Sequence, residues 1–260
     1  MVTEEVRGVD MVHTREVLDH GRVTLIDYMG SDSRILESAR ISTGSAPSKG
    51  EVKDRGLIRY LYKNGHLTPF EQVTTTWRIK LPIFVARQWM RSRTQSFNEM
   101  SARYTELPEE YYTPTDFRIQ AIDNHQGSTP GGDFDESLLE DYKDTIQECY
   151  DHYHDLLENG VAREHARMVL PVSQYTEFYT TMNLRNLFHF LALRLDDHAQ
   201  YEIRVYGEAM LDILKEIQSL TWSVEVFEEF HNLEQAYRGA INRVGKDTSG
   251  LLNTLINFER

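Results

Sequence analysis

Cysteine is nearly missing from this 260-residue chain, with Cys149 standing alone. One thiol excludes an intramolecular disulfide framework and a cysteine-rich zinc module, and it suits a reducing compartment. No apolar run approaches the ~20 residues that would span a bilayer. The first ten residues, MVTEEVRGVD, are acidic and lack the hydrophobic stretch of a secretory signal. A cytoplasmic protein is expected. Also missing are a glycine-rich dinucleotide fingerprint after a strand, a Walker loop and a G-x-S-x-G elbow. Any dinucleotide must therefore be held in an unusual way. Basic residues are scarce: 28 Lys and Arg face 41 Asp and Glu, for a net charge of -13. That balance disfavours non-specific binding to nucleic acid or to an anionic membrane. The rest is ordinary globular composition, 40% hydrophobic and 27% charged, with ample chain to bury a core.

The charge is unevenly spread. Between Arg78 and Arg103 six basic residues face Glu99 alone, an excess of five, so the remainder carries -18. Arg87, Arg91, Arg93 and Arg103 fall within seventeen residues. Planar guanidinium forks suit phosphates, so a small anionic ligand is one reading. A solvated helix face with carboxylate partners elsewhere is the other.

Periodicity predicts a strand over 22–29, then a turn and cap at Gly30-Ser31-Asp32 leading into a helix over 33–41. A helix over 51–64 places Val52, Leu57, Ile58 and Leu61 on one side and stops at Gly65. Residues 72–81 alternate Val73, Thr75, Trp77, Ile79 and Leu81, a half-buried strand. Pro82 opens a helix expected to reach about Arg93, and 94–114 reads as irregular or extended. Three glycines and a proline mark 122–134 as a loop. Helices are expected over 135–158, 161–169, 183–195, 197–219 and 222–230, with a strand over 175–181. Strands early and helices late argue for α+β: a central, mostly antiparallel sheet with long helices packed on it. The expected organisation is a single domain over 1–230 followed by a helical tail, 231–260, that docks on the same domain or on a neighbour.

For chemistry, Asp196-Asp197-His198 with Glu202 offers metal-ligand types. No second His or Cys stands at a suitable spacing, and His152 and His154 splay on a helix, so no metal is expected. The segment 87–104, RQWMRSRTQSFNEMSARY, is richer. On a continuous helix Arg87 and Arg91 share a face with Gln88 beside them, and Ser96, Asn98, Glu99 and Ser101 add short polar groups suited to turns. Ser101 as a nucleophile lacks a histidine placed to activate it.

Arg91-Ser92-Arg93, seven residues, then Ser101 resembles the R-H-R-x7-S signature of flavin-dependent thymidylate synthases, with Ser92 in place of the central histidine. Gly65-His66-x-Thr68-Pro69-Phe70-Glu71 precedes it and Ala86-Arg87-Gln88-Trp89 leads into it. Ala166-Arg167-x-Val169-Leu170-Pro171, Asn183-x-Arg185 and Leu193-Arg194-x-x-x-His198-Ala199-Gln200 follow. The resemblance runs from about residue 22 to 215. It implies conversion of dUMP to dTMP with methylenetetrahydrofolate as carbon donor, FAD as hydride carrier and NADPH as reductant, in a homotetramer with shared active sites. By resemblance, Thr68, Arg91, Ser92, Arg93, Glu99, Asn183, Arg185 and His189 would contact FAD, with His66 near flavin and folate. Gln88, Arg91, Ser101, Ala102, Arg103, Arg167 and Arg194 would contact dUMP.

Methylation of uracil needs electron density at C5, commonly raised by a cysteine adding to C6. Cys149 lies in a patterned helix with no adjacent Lys or Arg to depress its pKa, so it reads as a packing residue. The alternative is a fixed guanidinium at the pyrimidine N3/O4 edge, and Arg194 is the candidate. On a helix, Asn183 and Arg194 are about 20° out of register, while Arg185 and His189 share a roughly opposite face. One helix would then serve two ligands; otherwise Leu184, Leu187, Phe188, Leu191 and Leu195 bury it and its arginines pair with carboxylates. Ser92 leaves open a dUMP hydroxymethylase, or a nucleotide-binding relative without catalysis.

Overall fold

The computed structural model describes residues 13–44, 48–122, 126–135 and 137–244. The N-terminal decapeptide, part of the 122–134 loop and the end of the tail lie outside the described residues. In chain order come β1 (Thr14–Val17), β2 (Gly21–Met29), α1 (Asp32–Ile41), α2 (Glu51–Lys63) and a 3-10 turn, Thr68–Gln72. Then follow β3 (Thr74–Pro82), α3 (Ile83–Trp89), β4 (Ser96–Glu99), β5 (Ile119–Gln120), β6 (Ser128–Thr129) and α4 (Ser137–Glu158). The last set is α5 (Arg163–Ala166), β7 (Tyr175–Asn183), α6 (Leu184–Arg194), α7 (Tyr201–Lys215) and α8 (Thr221–Val244). The fold is α+β, with a five-stranded antiparallel sheet in the order β1-β2-β3-β7-β4 and a small β5-β6 pair. No helix among the described residues is long and apolar enough to cross a membrane.

Two compact units emerge from the packing. The first comprises residues 1–26, 76–181 and 197–210; the second comprises 27–75, 182–196 and 211–260. In the first, the expected alternation of β3 holds, with Trp77, Ile79 and Leu81 fully buried. Phe178 on β7 meets Trp89 and Phe97 edge-on, with ring centroids 5.7 and 5.4 Å away. Tyr206 on α7 donates to the Lys80 carbonyl at 2.8 Å. A Cβ on Gly21 would lie 2.0 Å from its hydroxyl oxygen, so only glycine admits this approach. Gln174, fully buried, accepts from Tyr150 of α4 and donates to the Pro108 carbonyl.

In the second unit, α2 ends where Gly65 adopts φ 69° and His66 N returns to the Leu61 carbonyl, a glycine stop as expected. Val52, expected on the buried face, is 87% exposed. The buried group of that first turn is Asp54, which receives Arg40 from α1, Ser48 Oγ at 2.8 Å and the Lys49 amide at 3.1 Å. A buried ion pair took the place that apolarity predicted for valine. Asp32 does not cap its own helix. Its carboxylate accepts from the Trp222 and Ser223 amides and caps α8.

Other boundaries moved. Pro82 is the N-cap of α3 rather than its first residue, and α3 stops at Trp89. The 161–169 helix resolves into α5 and a 3-10 turn, Arg167–Val169. The helix expected from 197 begins at Tyr201, and the one expected over 222–230 continues unbroken to Val244.

Candidate active site

Because α3 ends at Trp89, Arg91 and Arg87 do not share a helix face; Arg91-Ser92-Arg93 forms the turn beyond it. Trp89, fully buried, anchors the start of that turn. Thr94 sits at φ 64°, a left-handed conformation costing a β-branched residue about 1–3 kcal/mol. The chain then enters β4, where Ser96 lies opposite Thr181. Gln88 donates to Gln200, which in turn donates to the buried Glu202 at 2.8 Å. Arg91 and Arg93 are exposed, whereas the Ser92 hydroxyl is buried with no hydrogen-bond partner among the described residues.

Just past β4 the first unit has a cavity of about 320 Å³. Glu99, Ser101, Ala102 and Arg167 line it together with Ile83 and Leu170. These residues are scattered over nearly ninety positions of sequence, from Ile83 to Leu170, and the fold brings them to one concavity. Glu99 accepts from Thr176 Oγ1 at 2.7 Å. Ser101 closes a turn: its Oγ accepts from the Arg103 amide at 3.3 Å, and its carbonyl accepts from Tyr104 N at 3.0 Å. The Arg103 guanidinium turns to Glu164 at 3.4 Å.

The remaining expected site residues lie in the second unit. His66 and Thr68 flank the entry to the 3-10 turn, and the His66 ring stands 6.0 Å from that of Tyr60. Asn183 caps α6 by accepting from the Asn186 amide at 3.0 Å, and Arg185 pairs with Glu71 of the 3-10 turn. Thr68, Asn183 and Arg185 are thus gathered around one helix start. His189, one turn on, is exposed. Arg194 closes α6 on another face, its guanidinium 5.8 Å from the Phe190 ring centroid. Burial pushes its pKa down, yet arginine remains a cation at any working pH. His198 lies past the end of α6 and does not continue its face.

The structure also divides the cationic segment. Arg78 pairs with Glu177, Lys80 with Glu110 and Arg103 with Glu164. Arg87, Arg91, Arg93 and, further on, Arg167 make no ion pair among the described residues. In a chain with thirteen surplus negative charges, guanidiniums without ion pairs among the described residues are a donor set for phosphates, and Arg167 brings one of them into the cavity. Asp196 and Glu202, weighed above as metal-ligand types, are otherwise engaged: Asp196 takes Arg238 and Gln235, and Glu202 takes Tyr112 and Gln200. Sequence reasoning missed Gln95, whose amide ties Ser92 of the Arg91–Thr94 turn to Trp89 and Thr180; no spacing or motif singles it out.

The family model described as thymidylate synthase complementing protein matches residues 24–218. A Thermus thermophilus protein named flavin-dependent thymidylate synthase is 50% identical over 224 residues, 86% of this chain and 81% of its own length. A Wolbachia pipientis protein of the same name is 46% identical over 227 residues, 85% and 80% of the two chains. Among solved structures, the UMP/dUMP methylase PolB of Streptomyces cacaoi superposes with a TM-score of 0.74 in its complex with 5-Br dUMP. It is 33% identical, covering 83% of this chain and 97% of that one.

Proposed function

The chain belongs to the flavin-dependent thymidylate synthase family, and from that premise we propose that it converts dUMP to dTMP in the cytoplasm. Methylenetetrahydrofolate supplies the carbon, and FAD and NADPH supply the reducing power. The observation that carries this reading is the set of arginines that make no ion pair among the described residues: Arg87, Arg91, Arg93 and Arg167 in a strongly acidic chain. When bound, FAD would supply redox chemistry, as a hydride carrier.

The residues fit a phosphate-bearing cofactor. Arg91 and Arg93 would hold its diphosphate, and, in sites shared between subunits, Thr68, Asn183, Arg185 and His189 of another copy would hold the rest, with Glu99 accepting a hydrogen bond and His66 close to flavin and folate. Ser92, whose hydroxyl is buried, would lie beside FAD by resemblance and offers it no free main-chain donor, since its N–H is bonded to the Trp89 carbonyl. Ser101 Oγ, with Ala102 beside it, would receive the dUMP phosphate between Arg103 and Arg167. Gln88, held by Gln200, would orient the nucleotide. Arg194 would donate to the N3/O4 edge and stabilise negative charge on the pyrimidine, which a desolvated cation does far better than one in water. Cys149 takes no part: it is a half-buried thiol on α4. Following the family resemblance, the active sites are shared within a homotetramer.

Tritium release from dUMP labelled at C5, with FAD, NADPH and methylenetetrahydrofolate present, tests the reaction. FAD-dependent release and a product with the mass of dTMP are expected. A hydroxymethyl product would favour the hydroxymethylase reading that Ser92 left open, and no release would favour a non-catalytic relative.

A further inference from the structure

Thr94, left-handed at φ 64°, is a β-branched residue in a conformation that persists only where the structure on both sides fixes it. Upstream, Trp89 is locked between the rings of Phe178 and Tyr206. Downstream, β4 is paired to β7 from Ser96 onward. Between these anchors Met90 N returns to the Ala86 carbonyl at 2.9 Å, and the turn itself keeps two hydrogen bonds back to α3 among the described residues, Arg91 N to the Gln88 carbonyl at 3.4 Å and Ser92 N to the Trp89 carbonyl at 3.0 Å. The Ser92 hydroxyl contributes none.

Gln95 spans the gap. Its Nε2 donates to the Ser92 carbonyl at 2.8 Å. Its Oε1 accepts from Thr180 Oγ1 on β7 at 3.0 Å and, more weakly, from Trp89 Nε1 at 3.4 Å. One amide thus ties the middle of the turn to the end of α3 and to the neighbouring strand. Thr180 is 1% exposed, so the tie runs into the interior and not to a solvated surface. Nothing else among the described residues fixes the Ser92 carbonyl.

We propose that Gln95 is the positioning residue of the Arg91-Ser92-Arg93 turn: by holding the Ser92 carbonyl it sets the direction in which the Arg91 and Arg93 guanidiniums project toward the cofactor. This rests on the reading above that those arginines hold FAD. Gln95 itself touches no ligand. A side chain at 92 that makes no hydrogen bond leaves the orientation of the turn to this neighbouring amide.

The test is FAD affinity of the full chain, read by quenching of flavin fluorescence, beside thermal unfolding of the flavin-free protein. Gln95→Met keeps the volume and removes all three bonds. Gln95→Glu keeps the acceptor for Thr180 and Trp89 and loses only the donor to the Ser92 carbonyl. Both variants are expected to bind FAD about tenfold more weakly, the size of one positioning hydrogen bond, with the Tm of Gln95→Glu unmoved. Should Gln95→Met fail to fold, Gln95→Glu and Thr180→Val, which unhooks the amide from β7, decide by the same readouts. Wild-type affinity in the folded variants overturns the proposal. So does weakening that merely tracks a fall in Tm, which assigns Gln95 to packing. A wild-type protein that binds no FAD removes the parent reading as well, an outcome distinct from either.

Discussion

Arg167→Ala isolates the phosphate end of the proposed nucleotide site. Arg167 lines the 320 Å³ cavity with Ser101 and Ala102 and makes no ion pair among the described residues. Its removal therefore strands no buried carboxylate, and the effect on folding should stay within about 0.5 kcal/mol. Binding is another matter. Hydrogen bonds to a charged group contribute about 1.5–3 kcal/mol, so dUMP should bind about 10- to 150-fold more weakly. Arg103→Ala should cost less, because Glu164 at 3.4 Å already offsets part of that charge. Titration with dUMP and with deoxyuridine, at low and at moderate salt, reads both effects. Deoxyuridine lacks the phosphate, so its affinity should not change in Arg167→Ala. The assignment is refuted if Arg167→Ala binds dUMP like the wild type, or loses dUMP and deoxyuridine by the same factor.

Arg194→Ala should lower kcat for tritium release about 10²- to 10³-fold, as removal of an oriented charge-stabilising donor does, while FAD stays bound; retained turnover contradicts its role. Cys149→Ser should keep wild-type turnover, and loss of it would return a thiol to the mechanism. Asp54→Asn removes the carboxylate charge that faces the buried Arg40 guanidinium, 5% exposed, and should cost about 3–5 kcal/mol in urea unfolding. Burial alone would raise the Asp54 carboxyl, but hydrogen bonds from Arg40, Ser48 and the Lys49 amide outweigh it and hold the group below its ordinary 3.8. Its stabilisation is therefore full above that value and is lost as pH falls through the lower folded one. The acid limb of wild-type stability should be steeper than that of Asp54→Asn.

Local pattern carried β2, β3 and β7 and most helices, whereas β1 and β4, four residues each, are too short for alternation to show and were not anticipated as strands. Alternation in β3 and the glycine stop of α2 are properties of neighbouring residues, and both survive folding. Boundaries that depend on partners did not. Val52 looked like a core residue because its partners were judged by apolarity, whereas the position facing the interior belongs to Asp54 and its distant Arg40. The end of α3 carries no glycine or proline; it is imposed by a left-handed Thr94 and an amide at Gln95 whose bonds reach 85 residues along the chain. The motif residues were legible one by one. That Ser101, Ala102 and Arg167 share a cavity, and that half of the cationic segment is neutralised while half is not, follows from tertiary pairing that spacing does not encode.

The central claim is that Arg91 and Arg93, which make no ion pair among the described residues, hold a flavin. Its most direct test is the visible absorption spectrum of the purified protein during titration with FAD. A saturable, resolved flavin band that remains with the protein through gel filtration and is lost in Arg91→Ala/Arg93→Ala is the predicted result. A colourless protein that leaves the spectrum of free FAD unchanged would contradict it.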